Sequence, residues 1–149
     1  MDNPSNQPLI YLVDDDQDDR EMFTTALALI NPEADVIEFS DGQQLLDALA
    51  ENPHTIPNYI FLDLNMPKCT GMECIEQMAH NINIQNTTIA ILSTSSNPDS
   101  IEKAFQLGAG FYIIKPTSFT NLKSFIGKVL SPEYQNTKAQ TIKDFLLTV

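Results

Sequence analysis

Four short apolar runs in this chain each stop at a polar or charged residue, and that arrangement restricts the fold more than any other feature. LIYLV runs into Asp14, Asp15 and Asp16, YIFL into Asp63, IAIL into Ser93, and FYII into Lys115. Continuous runs of this length, rich in branched and aromatic residues, are the signature of strands buried on both faces of a parallel sheet. In an open α/β sheet the carboxyl ends of such strands share one edge, and ligands bind there. The pattern therefore predicts carboxylates, a hydroxyl and an ammonium converging on one small site. Crowded carboxylates repel one another unless a cation neutralises them. Oxygen donors suit a hard ion such as Mg²⁺. The lysine calls for an anionic partner, and a phosphoryl group is the natural candidate.

The segments between these runs carry helical signals. Met22, Phe23, Ala26, Leu27 and Ile30 fall on one face of a helix over about 17–30, which Asn31-Pro32 ends. A further strand over about 35–39 turns through Ser40-Asp41-Gly42 into a helix carrying Leu45, Leu46 and Leu49. A third helix runs from near Gly71 to about 82. Asn97 can cap a fourth, with Pro98 at its first position and Gly108 in the left-handed position after it. Ser118 starts a fifth, ending near Leu130. Strands over about 8–14, 35–39, 59–63, 88–93 and 110–114 complete five β-α repeats. That succession is an α/β fold with a parallel sheet. Residues 1–7 read as a flexible lead, 8–130 as one domain, and 131–149 as a C-terminal extension. Within that extension Ile142, Phe145, Leu146 and Val149 form an amphipathic stripe, and Ser131-Pro132-Glu133 reads as a helix start. So short a helix is marginal in water unless its apolar face is covered. We expect it packed on its own domain or on a second copy, the latter making a homodimer.

The formal net charge is -12 and the sequence pI is about 4.2. Nucleic-acid binding needs a basic surface, and an anionic membrane repels an acidic one, so neither is an expected partner. The acids crowd into the part of the chain up to Asp63, where Arg20 is the one basic residue. Most of them read as a solvated face; Asp16, Asp18 and Asp19 read as a helix start favoured by the helix dipole. Cys69 and Cys74 lack a histidine at zinc spacing and read as reduced thiols of a cytoplasmic protein, with neither a disulfide nor a metal role expected. No secretion signal precedes the first strand, and no apolar run is long enough to span a bilayer.

The set YLVDDD, YIFLDLNMP, IAILSTSS and GFYIIKP, in this order and at these strand ends, resembles the receiver domain of two-component response regulators over roughly residues 8–130. The resemblance implies a single-domain receiver of the CheY-like kind: a doubly wound (βα)5 flavodoxin-like three-layer sandwich around a central five-stranded parallel sheet. It implies that Asp63 accepts a phosphoryl group. Asp14 and Asp15 would hold Mg²⁺ together with Asp63 and the backbone carbonyl of Asn65. Ser93 would be the switch hydroxyl, Lys115 the family's lysine, Tyr112 the switch aromatic, and the Lys115–Pro116 bond cis. The implied partners are a sensor histidine kinase or phosphotransfer protein upstream and a downstream protein of unknown identity. The implied role is phosphorelay signal transduction by an acceptor rather than a turnover enzyme. Thr94 departs from the family's usual smaller residue, and its bulk would narrow access to the phosphoryl group.

Two other classes compete. A haloacid-dehalogenase-like phosphatase would use Asp14, Asp16, Ser93 and Lys115, but it also needs a late acidic pair, and Glu133 and Asp144 follow no strand-like run. A protein-interaction module keeping the receiver fold without phosphorylation would have no need of the full acidic set and Lys115. A calcium loop starting at Asp14 fails for want of Gly at Asp19 and Glu at Thr25.

Overall fold

The computed structural model describes residues 7–132 and 141–148. The expected flexible lead lies outside the described residues except for its last position, as do Glu133 and Val149. Five strands and five main helices alternate: β1 (Leu9–Val13), α1 (Gln17–Ile30), β2 (Asp35–Phe39), α2 (Gly42–Glu51), β3 (Tyr59–Leu62), α3 (Gly71–Met78), β4 (Thr88–Ser93), α4 (Pro98–Gln106), β5 (Phe111–Ile114) and α5 (Phe119–Leu130). A one-turn helix, α6 (Ile142–Phe145), follows. The sheet has the order β2-β1-β3-β4-β5 and every pairing is parallel. The doubly wound (βα)5 architecture read from the sequence is the one observed.

Strand alternation explains why the apolar runs are continuous. Ile10, Leu12, Tyr59 and Phe61 point to a core shared with Phe23, Ala26 and Leu27 of α1 and Leu122, Phe125, Ile126 and Val129 of α5. Tyr11, Val13, Ile60 and Leu62 point the other way, to Leu45, Leu49, Cys74, Ile75 and Met78 of α2 and α3. β1 and the central β3 thus each bury both faces. β2, at the sheet edge, is half exposed, with Ile37 open to solvent. The helices start where their caps dictate. Asp16, Asp41, Thr70, Asn97 and Ser118 each accept a backbone N–H of the turn that follows. Thr70 and Glu73 close a reciprocal capping box, and Gly108 takes φ +95° behind α4.

The C-terminal extension packs on its own domain, and its α6 is a single helical turn. Phe145 is fully buried against Phe105 and Tyr112, at ring centroid distances of 5.4 and 6.0 Å. Past α6 the backbone turns extended. Leu146 bridges Tyr112 in parallel, and the Leu147 N–H donates to the Tyr112 carbonyl at 3.0 Å. The free edge of β5 is therefore capped by the chain's own tail. Of the amphipathic stripe Phe145 is buried and Leu146 packs partly against the core, while Ile142 is 41% exposed. No helix among the described residues is long and apolar enough to cross a membrane.

Phe145→Ala removes a fully buried ring from this contact. It should cost about 3 kcal/mol, the low end for an aromatic truncation because the chain end can partly re-cover the gap. Chemical denaturation of the two proteins measures it; a midpoint unchanged by the substitution would show the tail is not part of the fold.

Candidate functional site

Asp14, Asp63 and Lys115 are each placed by a strand end. Asp14 follows β1, and its N–H donates to the Phe39 carbonyl at 3.0 Å, prolonging the β1–β2 ladder. The Asp63 N–H donates to the Val13 carbonyl at 3.0 Å and the Lys115 N–H to the Ser93 carbonyl at 2.8 Å, prolonging β3 along β1 and β5 along β4. The ladders thus run one residue beyond the apolar runs and fix where the side chains point. The Lys115–Pro116 peptide, expected cis, is trans. Trans is the favoured isomer by about 0.5–1 kcal/mol. The aim of Lys115 does not need the other one, because strand alternation turns Ile114 outward and Lys115 inward.

Lys115 is the hub. Its Nζ donates to Asp14 Oδ2 at 2.8 Å, Asp19 Oδ2 at 2.8 Å and Asp63 Oδ2 at 3.1 Å. Asp14 and Asp63 are buried, whereas Asp15 is exposed. Carboxylate oxygens of Asp14, Asp15 and Asp63 lie within 4.8 Å of one another. The remaining oxygens are held from the backbone. Asp14 Oδ1 accepts the Asp16 N–H at 2.9 Å and Asp63 Oδ1 accepts the Asn65 N–H at 3.1 Å. Burial pushes the Asp14 carboxyl up, against the hydrogen bond from Lys115 that pulls it down. Burial alone would lower the Lys115 ammonium; hydrogen bonds to Asp14 and Asp19 and the charges of Asp14 and Asp63 outweigh it and raise it. The donor set around the three aspartates is all hard oxygen, which fits a small divalent cation.

Ser93 is buried at the end of β4, and its Oγ accepts the Ser95 N–H at 3.2 Å. Tyr112 is fully buried; its hydroxyl donates to the Ser95 carbonyl at 2.7 Å, and burial pushes its phenol up. The stretch after Ser93 is thereby tied both to the site and to the ring that Phe145 covers. Thr94 is exposed and lines a cavity of about 360 Å³ with Asp19, Met22, Lys115 and Thr117, on the α1–α5 side of the site.

The structure brings Asp14, Asp15, Asp63, Ser93 and Lys115 to one edge. Tyr112 is buried on the neighbouring β5, and the exposed Asn65 stands two residues after Asp63. It also adds Asp19, which the sequence reading assigned to a helix start. Asp19 does lie in the first turn of α1, its N–H held by the Asp16 cap, but its carboxylate turns back to Lys115. The sequence signal was the run of acids itself, longer than a cap requires. Asp16 caps α1 and takes no part in the ion pairs, which removes a group the phosphatase reading needs.

A five-stranded parallel sheet with acids after β1 and β3 and a lysine after β5 defines a phosphorelay receiver. The family model described as the response regulator receiver domain matches residues 10–127, and the chain belongs to that family. The chain is 28% identical over 127 residues to the response regulator Rcp1 of a Synechocystis strain, covering 82% of this chain and 86% of that protein. It is 32% identical over 119 residues to a probable cyclic di-GMP phosphodiesterase of Vibrio cholerae. That match takes in 80% of this chain and only 26% of that protein, so this chain corresponds to a fraction of its length. A crystal structure of the phosphorylated cyanobacterial phytochrome response regulator RcpA superposes with a TM-score of 0.77 at 26% identity, over 90% of this chain and 97% of that one. The function is phosphorelay response regulation, and receivers of this family bind a divalent metal at an aspartate cluster.

Lys115→Met leaves Asp14 and Asp63 as buried carboxylates without their cation. We expect a loss of about 2 kcal/mol at neutral pH, less than a fully buried pair would lose because the Asp19 end is open to water. The loss should shrink on acidification. A carboxyl whose folded pKa is raised holds a proton that the unfolded chain has released, so stability rises as pH falls through the raised value, down to the ordinary one near roughly 3.9. The raised Lys115 works the other way and at high pH: its contribution is complete below the ordinary lysine value and lost above it, so the wild type keeps it throughout the acid range. Urea denaturation of both proteins between neutrality and mild acid checks this. A gap constant with pH would separate Lys115 from the titration of Asp14.

Proposed function

We propose that Asp63 takes a phosphoryl group from a sensor histidine kinase or a phosphotransfer protein and that the resulting acyl phosphate switches a protein-binding face. One observation carries the assignment. Asp63 is the buried carboxylate at the middle of the site, with Asp14 and Asp15 on the β1 side, Ser93 on the β4 side, and Lys115 Nζ 3.1 Å from its Oδ2. A nucleophile in a phosphoryl transfer needs its flanking charge arranged beforehand, because such transfers depend mainly on positioning and neutralisation.

The aspartate oxygen attacks phosphorus in line, the O–P bond forms, and the bond to the donor nitrogen breaks. The Asn65 N–H, already on Oδ1, keeps the carboxylate turned toward the opening. Lys115 exchanges its bond to Asp63 for one to a phosphoryl oxygen while keeping Asp14 and Asp19, so it travels little. The Ser93 hydroxyl, free to rotate, donates to another oxygen. Asp14, Asp15, Asp63 and the Asn65 carbonyl are the groups that would hold Mg²⁺, which supplies charge neutralisation for the phosphoryl oxygens and offsets the mutual repulsion of the acids.

Turning Ser93 toward a phosphoryl group disturbs the Ser95 N–H bond, and through Ser95 the Tyr112 hydroxyl. The face over α4, β5 and α5 is the proposed output surface, and it includes the strand edge that the tail caps. The protein acts in this reading as acceptor and switch, not as a turnover enzyme. The cytoplasm, where kinase and nucleotide meet, is its proposed location. The kinase and the downstream protein are identified only by those roles.

Asp63→Asn should abolish modification by a small phosphodonor such as acetyl phosphate with Mg²⁺, because the amide is a poor nucleophile. Intact-mass spectrometry reads the phosphate directly; undiminished modification of the variant would overturn the assignment. Asp15→Ala should weaken the Mg²⁺ response of the wild type in titration, and equal affinity would remove Asp15 from the site.

A further inference from the structure

The loop between β3 and α3 holds a feature that phosphoryl chemistry does not use. Lys68 and Cys69 stand in succession at φ 56° and 99°, a left-handed excursion made without glycine. It folds Cys69 back over the first turn of α3, so that its Sγ lies 3.4 Å from Cys74 Sγ. The start of α2 closes one side of the pair. A Cβ on Gly42 would stand 2.5 Å from Cys74 Sγ and 2.2 Å from the Cys69 carbonyl oxygen. The other side is open, and unevenly so: Cys69 is half-buried, Cys74 fully buried. An oxidant meets Cys69 first, with Cys74 already in line behind it.

We propose that Cys69 and Cys74 form a reversible oxidation site, closed by a peroxide into an intramolecular disulfide that stiffens the loop beside the acceptor aspartate. The Cys69 thiolate attacks a peroxide oxygen; the S–O bond forms, the O–O bond breaks, and hydroxide leaves as water. Cys74 then attacks the Cys69 sulfenic sulfur; the S–S bond forms, the S–O bond breaks, and the departing hydroxide takes the Cys74 proton. Two thiols lose two electrons and one peroxide becomes two waters. The sulfurs need to close from 3.4 Å to about 2.05 Å. Burial, with the neighbouring Cys69, pushes the Cys74 thiol up, which leaves Cys69 as the attacking sulfur and Cys74 as the resolving one.

The consequence runs to the acceptor through Gly71. Its N–H donates to the Leu64 carbonyl at 3.1 Å, and a Cβ there would stand 2.2 Å from the Asp63 carbonyl oxygen. The beginning of α3, which lies between the two cysteines, therefore rests on the backbone of residues 63 and 64. A bridge from 69 to 74 fixes that turn and with it the segment leading to Asn65. The inference goes beyond the phosphoryl reading and is independent of it.

The test uses the full chain, reduced, then exposed to a few equivalents of hydrogen peroxide, denatured and alkylated with iodoacetamide. We expect a monomer two hydrogens lighter in which neither cysteine is alkylated, restored by dithiothreitol. Cys74→Ser should stop at a Cys69 sulfenic acid that dimedone captures, and Cys69→Ser should leave Cys74 unreacted until denaturation. Amide exchange over 63–71 should slow by about threefold in the bridged form. Full alkylation of both cysteines, over-oxidation of Cys69 without a bridge, or bridges between molecules would overturn the proposal. A bridge with unchanged exchange would overturn the link to the acceptor loop. None of these readouts involves phosphate, so they stand whether or not Asp63 is the acceptor.

Discussion

Parallel hydrogen bonding aligns the carboxyl ends of β1, β3, β4 and β5, and the site depends on that alignment. The ladders carry on past the apolar runs, with Asp14, Asp63 and Lys115 each donating a backbone N–H to the neighbouring strand. The same bonds that terminate the core therefore set the distances between the charges. Acids brought together this way would repel, and the ammonium of Lys115 joins three of them across the end of the sheet. Its raised pKa and the raised pKa of Asp14 express two sides of one balance: the pairing favours the ammonium, while burial still disfavours the Asp14 carboxylate. A site so balanced is sensitive to any added charge, which suits a switch.

The strand ends were legible in the sequence because the code there is simple. An apolar run followed by an acid, a hydroxyl or a lysine has one economical explanation in a parallel sheet, and Asn97 and Ser118 mark where two of the intervening helices begin. What escaped the sequence depends on side-chain direction. Asp19 satisfies every rule for a first-turn acid and still turns to Lys115, a choice made by a residue far away in the chain. The trans Lys115–Pro116 bond was missed because the aim of the lysine was attributed to the isomer, when the ladder with Ser93 is enough. The closeness of Cys69 and Cys74 rests on two left-handed residues that carry no glycine to announce them.

The tail shows a different limit. Its helical periodicity was real but described only one turn; beyond Phe145 the backbone is spent on the edge of β5. Periodicity measures which residues share a face, and it does not register that an unpaired strand edge nearby offers better hydrogen bonds. Edge capping wins because β5 closes the sheet and its outer N–H and C=O groups must otherwise face water or another chain. Lys128 adds a bond from α5 to the Thr148 carbonyl at 2.9 Å, holding the last described residue in place.

Tyr112 is where these two ends of the structure meet. Its hydroxyl donates to the Ser95 carbonyl, two residues from the Ser93 hydroxyl, while its ring packs on Phe145 and its carbonyl accepts from Leu147. A movement of the segment after Ser93 acts on the hydroxyl; a movement of the tail acts on the ring and the backbone. The tyrosine is fully buried, so it cannot accommodate one change by swinging into solvent without breaking contact with the other. Packing at native density transmits such a displacement rather than absorbing it. The chain's own tail and the site at the sheet edge are thus mechanically joined through one side chain. A protein binding over α4, β5 and α5 would meet the tail's capping segment as part of the surface it reads.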